Sequence, residues 1–267
     1  MTLFQLLLVA IIQGVTEFLP ISSSGHLILL PQMTGAQDQG LAIDVAVHVG
    51  TLGAVVLYFW PQVRIALAGT LRLVRGRVDT QGAFLALCLA IATIPAVIVG
   101  LAIRLIGLDE AMRSVEVIGW TMLIFGILLY WADMKGAEDR SADRWTLRHA
   151  MLFGLAQCLA LIPGTSRSGI TITAGRMLGY DREGAATLSM LMSIPVILAS
   201  GLVLSLDVVG QANWALARDA SIAAAFAFLA AFAALYLMMR LLKSVSFTPY
   251  VIYRVIFGLG LLIWAYT

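Results

Sequence analysis

The fold of this chain depends on one stretch, Gln13-Gly-Val-Thr-Glu17-Phe-Leu-Pro20-Ile-Ser22-Ser23-Ser24-Gly25-His26. It lies inside a hydrophobic segment that runs from Leu3 to Leu30, where an ordinary membrane helix would avoid a carboxylate, three serines and a histidine. Ionisable groups at membrane depth usually face a protein interior or a water-filled cavity and mark a functional site. Pro20 and Gly25 interrupt the helix, which is tolerated only where irregular backbone is buried in protein or lines a cavity. The stretch therefore predicts a re-entrant hairpin whose tip carries chemistry.

A second stretch repeats this pattern 144 residues later, Gln157-Cys-Leu-Ala-Leu-Ile-Pro163-Gly164-Thr165-Ser166-Arg167-Ser168-Gly169. Sliding the chain over itself by that distance without a gap gives nine identities in thirty positions, several times what this biased composition would give by chance. The identities are Gln13/Gln157, Ser22/Ser166, Ser24/Ser168, Gly25/Gly169, Ile28/Ile172, Met33/Met177, Gly35/Gly179, Gly40/Gly184 and Ala42/Ala186. The chain is therefore predicted to be an internal duplication, with halves at 1–134 and 149–267 and hairpins at 3–40 and 149–183.

Composition places the chain in the membrane. Of its 267 residues 61% are hydrophobic and 12% are charged, and the mean hydropathy is +0.95, values typical of a polytopic membrane protein. A net charge of +2 is too small to argue for nucleic acid. Residues 1–12 lack the basic start of a signal peptide, and Cys88 and Cys158 have no metal-ligand spacing. We expect a single membrane domain over 1–267.

Six further apolar runs are long enough to cross a bilayer: 41–60, 82–105, 115–134, 184–206, 218–239 and 248–266. The connections 61–81, 135–148 and 240–247 are rich in Lys and Arg, whereas 106–114 and 207–217 are not, so the positive-inside rule makes the first three cytoplasmic. The segment 149–183 then begins and ends on the cytoplasmic side, and 1–40 dips in from the opposite side. This predicts six transmembrane helices plus two opposed re-entrant helical hairpins in an inverted-topology repeat, an all-α fold whose site lies near the bilayer midplane.

The two tips together hold the parts of a phosphate site. Arg167 is a permanent cation whose planar fork suits phosphate oxygens. Hydroxyls and backbone N–H groups surround it, and Glu17 and His26 offer acid–base groups. The hydroxyl and amide groups of the two tips come from Ser22, Ser23, Ser24, Gly25, Gly164, Thr165, Ser166, Ser168 and Gly169. Gln13 is four residues before Glu17, so the two share one helix face. A carboxylate beside phosphate also suggests a divalent cation.

Several of these signals also have structural explanations. A serine run can be turn chemistry, and Arg167 or Glu17 could make a structural pair. His48 follows Asp44 by one helical turn, so a structural polar pair and a role in the site are equally expected. Arg176 and Arg182 are expected to be structural or interfacial. Arg254, like Arg104 and Arg240, falls near a span end and is expected to reach out to the membrane surface.

The two motifs resemble the signatures of the bacterial undecaprenyl-diphosphate phosphatase family, also called bacitracin-resistance proteins. The likeness extends through Asp44-Val-Ala-Val-His48-Val-Gly-Thr-Leu and Tyr253-Arg254, and so covers essentially the whole chain. The family's first motif carries Glu or Gln at the place of Gln13. This chain has the Gln form, which leaves Glu17 as the sole acid there.

The resemblance implies an enzyme that removes the terminal phosphate of a C55 polyprenyl diphosphate, recycling the carrier lipid for cell-wall peptidoglycan synthesis. It implies a divalent cation, Mg²⁺ or Ca²⁺, for which Glu17 with Gln13 are the expected ligands. The expected catalytic residues are Glu17, Ser23, His26 and Arg167, with Ser23, His26 or a water as nucleophile. The expected partners are the lipid substrate and the membrane, with no nucleic acid and optionally a second copy in a homodimer.

The resemblance also places the chain as a multi-pass protein of the bacterial inner membrane, with a site that opens to the periplasmic side. The competing interpretation is a lipid-phosphate transporter, or flippase, that uses the same anion site, because inverted repeats with midplane sites are typical of secondary transporters.

Overall fold

A computed structural model of the chain describes residues 2–35, 39–208 and 214–267. Residues 36–38 of the first predicted hairpin, and residues 209–213 of the predicted connection 207–217, lie outside this description. The described ranges contain twelve α-helices and no β-strand. The helices are α1 (Leu3–Phe18), α2 (Ser23–Thr34), α3 (Leu41–Tyr58), α4 (Trp60–Leu73), α5 (Gln81–Leu105), α6 (Leu108–Ala111), α7 (Val115–Lys135), α8 (Leu147–Cys158), α9 (Arg167–Met177), α10 (Arg182–Val208), α11 (Trp214–Leu241) and α12 (Thr248–Tyr266).

Six of these helices are long and apolar enough to span a membrane, as the sequence predicted. They are α3, α5, α7, α10, α11 and α12. Helices α1 and α8 are apolar but shorter, with 16 and 12 residues. The chain is thus an all-α, multi-pass membrane protein.

The two predicted tips are breaks between paired helices, α1 with α2 and α8 with α9. The backbone becomes extended at Leu19 and at Ile162. Each of these residues precedes a proline, and a proline disfavours helical backbone in the residue before it. Ser22 and Ser166 then adopt left-handed φ angles of 73° and 72°. No other non-glycine residue in the described ranges has positive φ.

Each of these serines caps the helix that follows it. The Oγ of Ser22 accepts the N–H of Gly25 at 3.3 Å, and the Oγ of Ser166 accepts the N–H of Gly169 at 3.1 Å. Left-handed backbone is strained for a residue with a Cβ and concentrates at functional sites. The same cap with left-handed backbone therefore occurs at two positions that lie 144 residues apart and are aligned in the sequence repeat.

Helix packing connects the two halves of the chain. Helix α1 packs on α11, and α8 packs on α5, so each of these shorter helices lies against a long helix that is distant in sequence. Helix α7 packs on α12, while α10 contacts both α3 and α5. Close approach uses small residues: a Cβ on Gly14 would come within 2.7 Å of the Ala227 carbonyl oxygen.

The connection 61–81 contains a helix that the sequence analysis did not anticipate. Helix α4 starts with Pro61 in its first turn, a favourable position for proline, and packs along α5 through Gly69 and Gly82. The sequence analysis treated 61–81 only as a connection rich in arginine, whereas the helix within it buries a small, apolar face with Val63, Ala66 and Gly69.

Arg176 has the structural role that was expected. Its side chain is 1% exposed and its Nε donates to Asp133 Oδ1 at 3.0 Å. Arg182 contacts the same oxygen at 2.8 Å, and both arginines also reach Glu138. This ion cluster ties α9 and the start of α10 to the end of α7.

Candidate functional site

Glu17 is the centre of the polar network between the two tips. Its Oε2 accepts hydrogen bonds from Ser23 Oγ at 2.8 Å and from Gln13 Nε2 at 2.9 Å. Its Oε1 accepts from Arg167 Nη2 at 3.2 Å, and only 9% of the Glu17 side chain is exposed. One carboxylate therefore joins the predicted nucleophile on one tip to the predicted phosphate ligand on the other.

Arg167 is the first residue of α9 and is itself nearly buried, with 14% of its side chain exposed. Its Nη1 donates to the Ser189 carbonyl at 3.0 Å, which fixes the plane of the guanidinium. The N-terminus of a helix carries unsatisfied N–H groups and a partial positive charge. A fixed arginine at such a position suits a phosphate group.

The remaining hydroxyls of the tips have two different roles. Ser168 Oγ donates to the Leu19 carbonyl at 2.9 Å and so links the second tip to the first. Ser166 and Ser22 are the helix caps, and Ser24 Oγ lies 3.3 Å from Ser22 Oγ. Thr165 Oγ1 is buried and has no hydrogen-bond partner among the described residues.

Backbone conformation and close packing require a glycine at position 164 of the second motif. Gly164 has φ +86°, and a Cβ there would lie 2.1 Å from Thr121 Oγ1, so only glycine fits against α7. The N–H groups of Gly25 and Gly169 donate to the cap serines. Their predicted contact with the diphosphate stays a prediction.

A cavity of about 390 Å³ opens beside Ser23. Its polar lining on the side of the first tip comes from Gln13, Ser23, Ser24, Asp44 and His48. Arg104 and Arg113 line another part of the wall, and apolar residues line the rest, among them Leu27, Ile103 and Leu161. A polar end with an apolar wall suits a lipid with a charged head.

His26 is not in hydrogen-bond contact with Ser23 or Glu17. Its Nδ1 lies 2.6 Å from the Ser22 carbonyl oxygen, which can only accept, so Nδ1 carries a proton. Its Nε2 pairs with the Tyr253 hydroxyl, and the ring stacks on Tyr253 and Phe257. This geometry favours Glu17 over His26 as the base for Ser23.

His48 and Asp44, for which the sequence left two roles open, both reach the site. His48 Nδ1 lies 2.7 Å from the Asp44 backbone oxygen, and its Nε2 lies 4.0 Å from Glu17 Oε2. The Asp44 carboxylate accepts from Gln39 Nε2 at 2.8 Å. The two residues do not form the simple side-chain pair that their spacing allows.

The expectation that Arg254 reaches out to the membrane surface is wrong. Its side chain is fully buried, and its guanidinium donates to five backbone carbonyl oxygens at 2.9–3.3 Å. These belong to Pro20, Thr121, Met122, Gly164 and Thr165. No carboxylate in the described ranges is ion-paired with it. Arg254 thus holds both tips against α7, because irregular backbone leaves carbonyls that helices would otherwise satisfy.

We expect Arg254→Met to lower activity by on the order of 10²-fold, because small misplacements of reacting groups cost about that much. The variant removes the side-chain donor from five buried carbonyls, so its thermal unfolding temperature should also fall. Phosphate release and thermal unfolding in detergent measure the two effects. Arg240→Met, on the exposed face of α11, is the matched control and should change neither. A fully active Arg254→Met protein would contradict this role.

The residues of the site fit a divalent cation only if substrate completes its ligand shell. In the part of the chain that the structure describes, no three His, Cys, Asp or Glu side chains cluster as a metal site would require. However, Gln13 Oε1 is buried without a hydrogen-bond partner, next to the Glu17 carboxylate. Mg²⁺ characteristically uses one or two carboxylates together with substrate phosphates, and this set of oxygen donors suits such a shared ion.

Known proteins with similar sequences carry a consistent description. Residues 6–260 match the family described as bacitracin resistance protein BacA. The chain is 72% identical to an undecaprenyl-diphosphatase of Roseobacter denitrificans and 69% identical to one of Dinoroseobacter shibae, covering 100% of both chains in each case. An undecaprenyl-diphosphatase of Hahella chejuensis is 44% identical, over 100% of this chain and 99% of that protein. The chain belongs to the bacitracin resistance protein BacA family.

Proposed function

We propose that this chain is an undecaprenyl-diphosphate phosphatase, which hydrolyses the terminal phosphate of undecaprenyl diphosphate and leaves undecaprenyl phosphate. The observation that carries the proposal is the Ser23–Glu17–Arg167 chain of hydrogen bonds, which places a hydroxyl, its base and a phosphate ligand in contact. The names of relatives up to 72% identical agree with it.

The terminal phosphate lies against Arg167 and the helix N-termini of the two tips, which stabilise the charge that develops on its oxygens. Ser23 Oγ attacks the terminal phosphorus, and its proton passes to Glu17. The bond from that phosphorus to the bridging oxygen breaks, and undecaprenyl phosphate leaves. Water then attacks the phosphoserine, which releases inorganic phosphate and restores Ser23.

Gln13 and Glu17 are the proposed ligands of the Mg²⁺ or Ca²⁺ ion. When bound, the ion neutralises charge on the phosphate oxygens. The apolar wall of the cavity, with Leu27 and Ile103, accommodates the first isoprene units of the lipid. The remainder of the tail passes between the helices into the bilayer.

The direct test is inorganic phosphate release from undecaprenyl diphosphate by the purified protein, with and without EDTA. We expect release that EDTA abolishes and Mg²⁺ or Ca²⁺ restores. A protein that releases no phosphate under any of these conditions, yet moves the lipid across liposomes, would instead be a transporter. The Ser23–Glu17 bond favours chemistry, because transport needs anion capture but no nucleophile with a base.

The proposal includes the membrane architecture: two re-entrant hairpins in an inverted repeat, in the bacterial inner membrane, with the site open to the periplasm. The matching strained caps at Ser22 and Ser166 support a repeat. The exchanged packing of the hairpins, α1 on α11 and α8 on α5, supports two related halves. The Lys- and Arg-rich connections support the orientation.

This architecture predicts that both termini lie outside the cytoplasm, because six spans and two non-crossing hairpins return the chain to the side on which it began. Cysteines introduced at Thr2 and Thr267 should react with a membrane-impermeant maleimide in spheroplasts, whereas one at Arg75 should react only after lysis. Protection of either terminus in intact spheroplasts would contradict the inverted repeat.

A further inference from the structure

A different cavity, of about 370 Å³, lies where helices α7 and α9 end. Its wall consists of residues from the last turn of α7, from the chain that follows it as far as Arg140, and from 177–179. Helix α7 is one of the six helices that can span a membrane, and Lys135 is its last residue. The cavity therefore lies where a spanning helix ends, and neither Glu17 nor Ser23 lines it.

Two cations line this cavity, Lys135 and Arg140. Neither is ion-paired with a carboxylate that the structure describes, unlike the arginines of the neighbouring ion cluster. One carboxylate, Asp139, also belongs to the wall. A Cβ on Gly179 would come within 2.7 Å of Asp139 Oδ1, so this carboxylate lies against the Gly179 backbone. Two cations and one anion leave the lining with one net positive charge.

Arg140 is held in place by backbone groups. Its Nη1 donates to the Leu178 carbonyl, and its own N–H donates to the Gly179 carbonyl at 3.1 Å. Its carbonyl accepts from the N–H of Asp181 at 2.8 Å. These contacts fix the residue without neutralising its charge, because none of them involves a carboxylate. A guanidinium that is already ordered loses little freedom when it binds a phosphate group.

The cavity also has an apolar rim. Trp131 and Met177 line it, and their side chains are 52% and 54% exposed. Tryptophan is enriched at the level of the lipid headgroups, where its ring has both apolar and polar surroundings. A ligand that joins a negative charge to hydrocarbon would satisfy the cations and the rim together, which a soluble anion would not do.

We propose that this cavity binds the headgroup of an anionic phospholipid, with its phosphate against Lys135 and Arg140 and its chains along Trp131 and Met177. Basic pockets between spanning helices on the cytoplasmic side, where 135–148 is predicted to lie, suit such headgroups. The site is separate from the diphosphate site and goes beyond the proposed function. One lipid bound there contacts the ends of both α7 and α9, and α9 begins with Arg167.

Tryptophan fluorescence in reconstituted vesicles tests the site, because bromine atoms on a lipid chain quench an indole ring in contact with them. The protein is placed in phosphatidylcholine vesicles with increasing fractions of either dibrominated phosphatidylglycerol or dibrominated phosphatidylcholine. The chain has six tryptophans, so the difference between the native protein and Trp131→Phe isolates the signal of the cavity. We expect phosphatidylglycerol to be preferred there roughly fivefold, the effect of one net charge at the membrane surface.

A pair of variants at Ala137 tests the role of charge without removing a side-chain contact. Ala137 lines the cavity and is exposed, so both variants should fold. Ala137→Glu adds a second carboxylate and should abolish the preference for phosphatidylglycerol. Ala137→Gln has almost the same size without the charge and should keep it. Size-exclusion chromatography before reconstitution confirms that each protein is monodisperse.

A second pair removes a cation from inside or outside the cavity. Lys135→Gln should abolish the preference, because the net charge of the lining falls to zero. Lys243→Gln is the matched control, since Lys243 is exposed in another connection that is predicted to be cytoplasmic and does not line the cavity. It should leave the preference unchanged.

Three results would overturn the site. They are equal quenching of Trp131 by the two lipids, a preference that survives both Lys135→Gln and Ala137→Glu, and a preference that Ala137→Gln removes as completely as Ala137→Glu. Inorganic phosphate, added at constant ionic strength, should leave the quenching unchanged. Displacement of the lipid by phosphate would show that the cavity takes a free anion and would overturn the assignment to a lipid. No readout here uses phosphate release, so the outcome is independent of the phosphatase assay.

Discussion

Glu17→Gln is expected to lower phosphate release by on the order of 10³-fold or more. Glu17 hydrogen-bonds both Ser23 and Arg167, so the change removes the base and the counter-charge together. A positioned base alone contributes roughly 10²–10⁴-fold. A glutamine oxygen can still accept from Arg167, so the protein should insert and remain monodisperse. Steady-state kinetics with undecaprenyl diphosphate, beside size-exclusion chromatography, measures both properties.

Glu138→Gln is the matched control for that experiment. Glu138 also pairs with arginines, Arg176 and Arg182, but its side chain is 51% exposed and it lies in the structural ion cluster. It should retain normal turnover. Normal turnover of Glu17→Gln would instead assign the base and the metal ligand to other residues.

Much of the fold was predictable because its signals are local. Prolines, glycines and serines within an apolar segment predict broken helices, and the gapless repeat predicts that the two breaks are alike. The caps at Ser22 and Ser166 bear this out. The pairing of Glu17 with Arg167 was also predicted, since a repeat with two opposed tips brings those residues together.

Arg254 was misinterpreted because its role depends on partners that are distant in sequence. Its acceptors are backbone carbonyls of two loops and a helix, between 89 and 234 residues away. Side-chain patterns contain no information about which carbonyls are left unpaired. A signal was present nonetheless, because Arg254 lies almost two turns inside the apolar helix α12, which is deep for a side chain that must reach the surface.

The sequence also did not predict the direction in which the His26 side chain points. The sequence analysis grouped His26 with Glu17 as an acid–base group of the first tip. Instead the ring turns toward α12 and stacks on Tyr253 and Phe257. His48, from the next helix, takes the place near Glu17. Only the packing of α3 and α12 around the first tip distinguishes the two histidines.

Ser23→Ala should reduce phosphate release to background, because it removes the atom that forms the covalent intermediate. The change deletes one hydroxyl from a half-buried position and leaves the Ser22 cap of α2 intact, so folding should be unaffected. Ser200→Ala removes a hydroxyl that contacts only the carbonyls of its own helix and serves as the matched control. Brief incubation of the native protein with ³²P-labelled substrate should leave label on Ser23, and the Ser23→Ala protein should carry none.

His26→Ala discriminates between the two nucleophiles that the sequence left open. In the serine mechanism it removes the hydrogen bonds to the Ser22 carbonyl and the Tyr253 hydroxyl, which position the first tip, so turnover should fall far less than in Ser23→Ala. A histidine nucleophile would reverse the order, since Ser23→Ala would then keep turnover through the other hydroxyls and amides of the tip.

Ser23 aligns with Arg167 in the repeat, whereas its neighbours Ser22 and Ser24 align with serines. The two tips thus differ at the pair of positions that meet at Glu17, as expected where one supplies the attacking atom and the other binds the phosphate. Full activity of Ser23→Ala beside an inactive His26→Ala would rule out the serine mechanism.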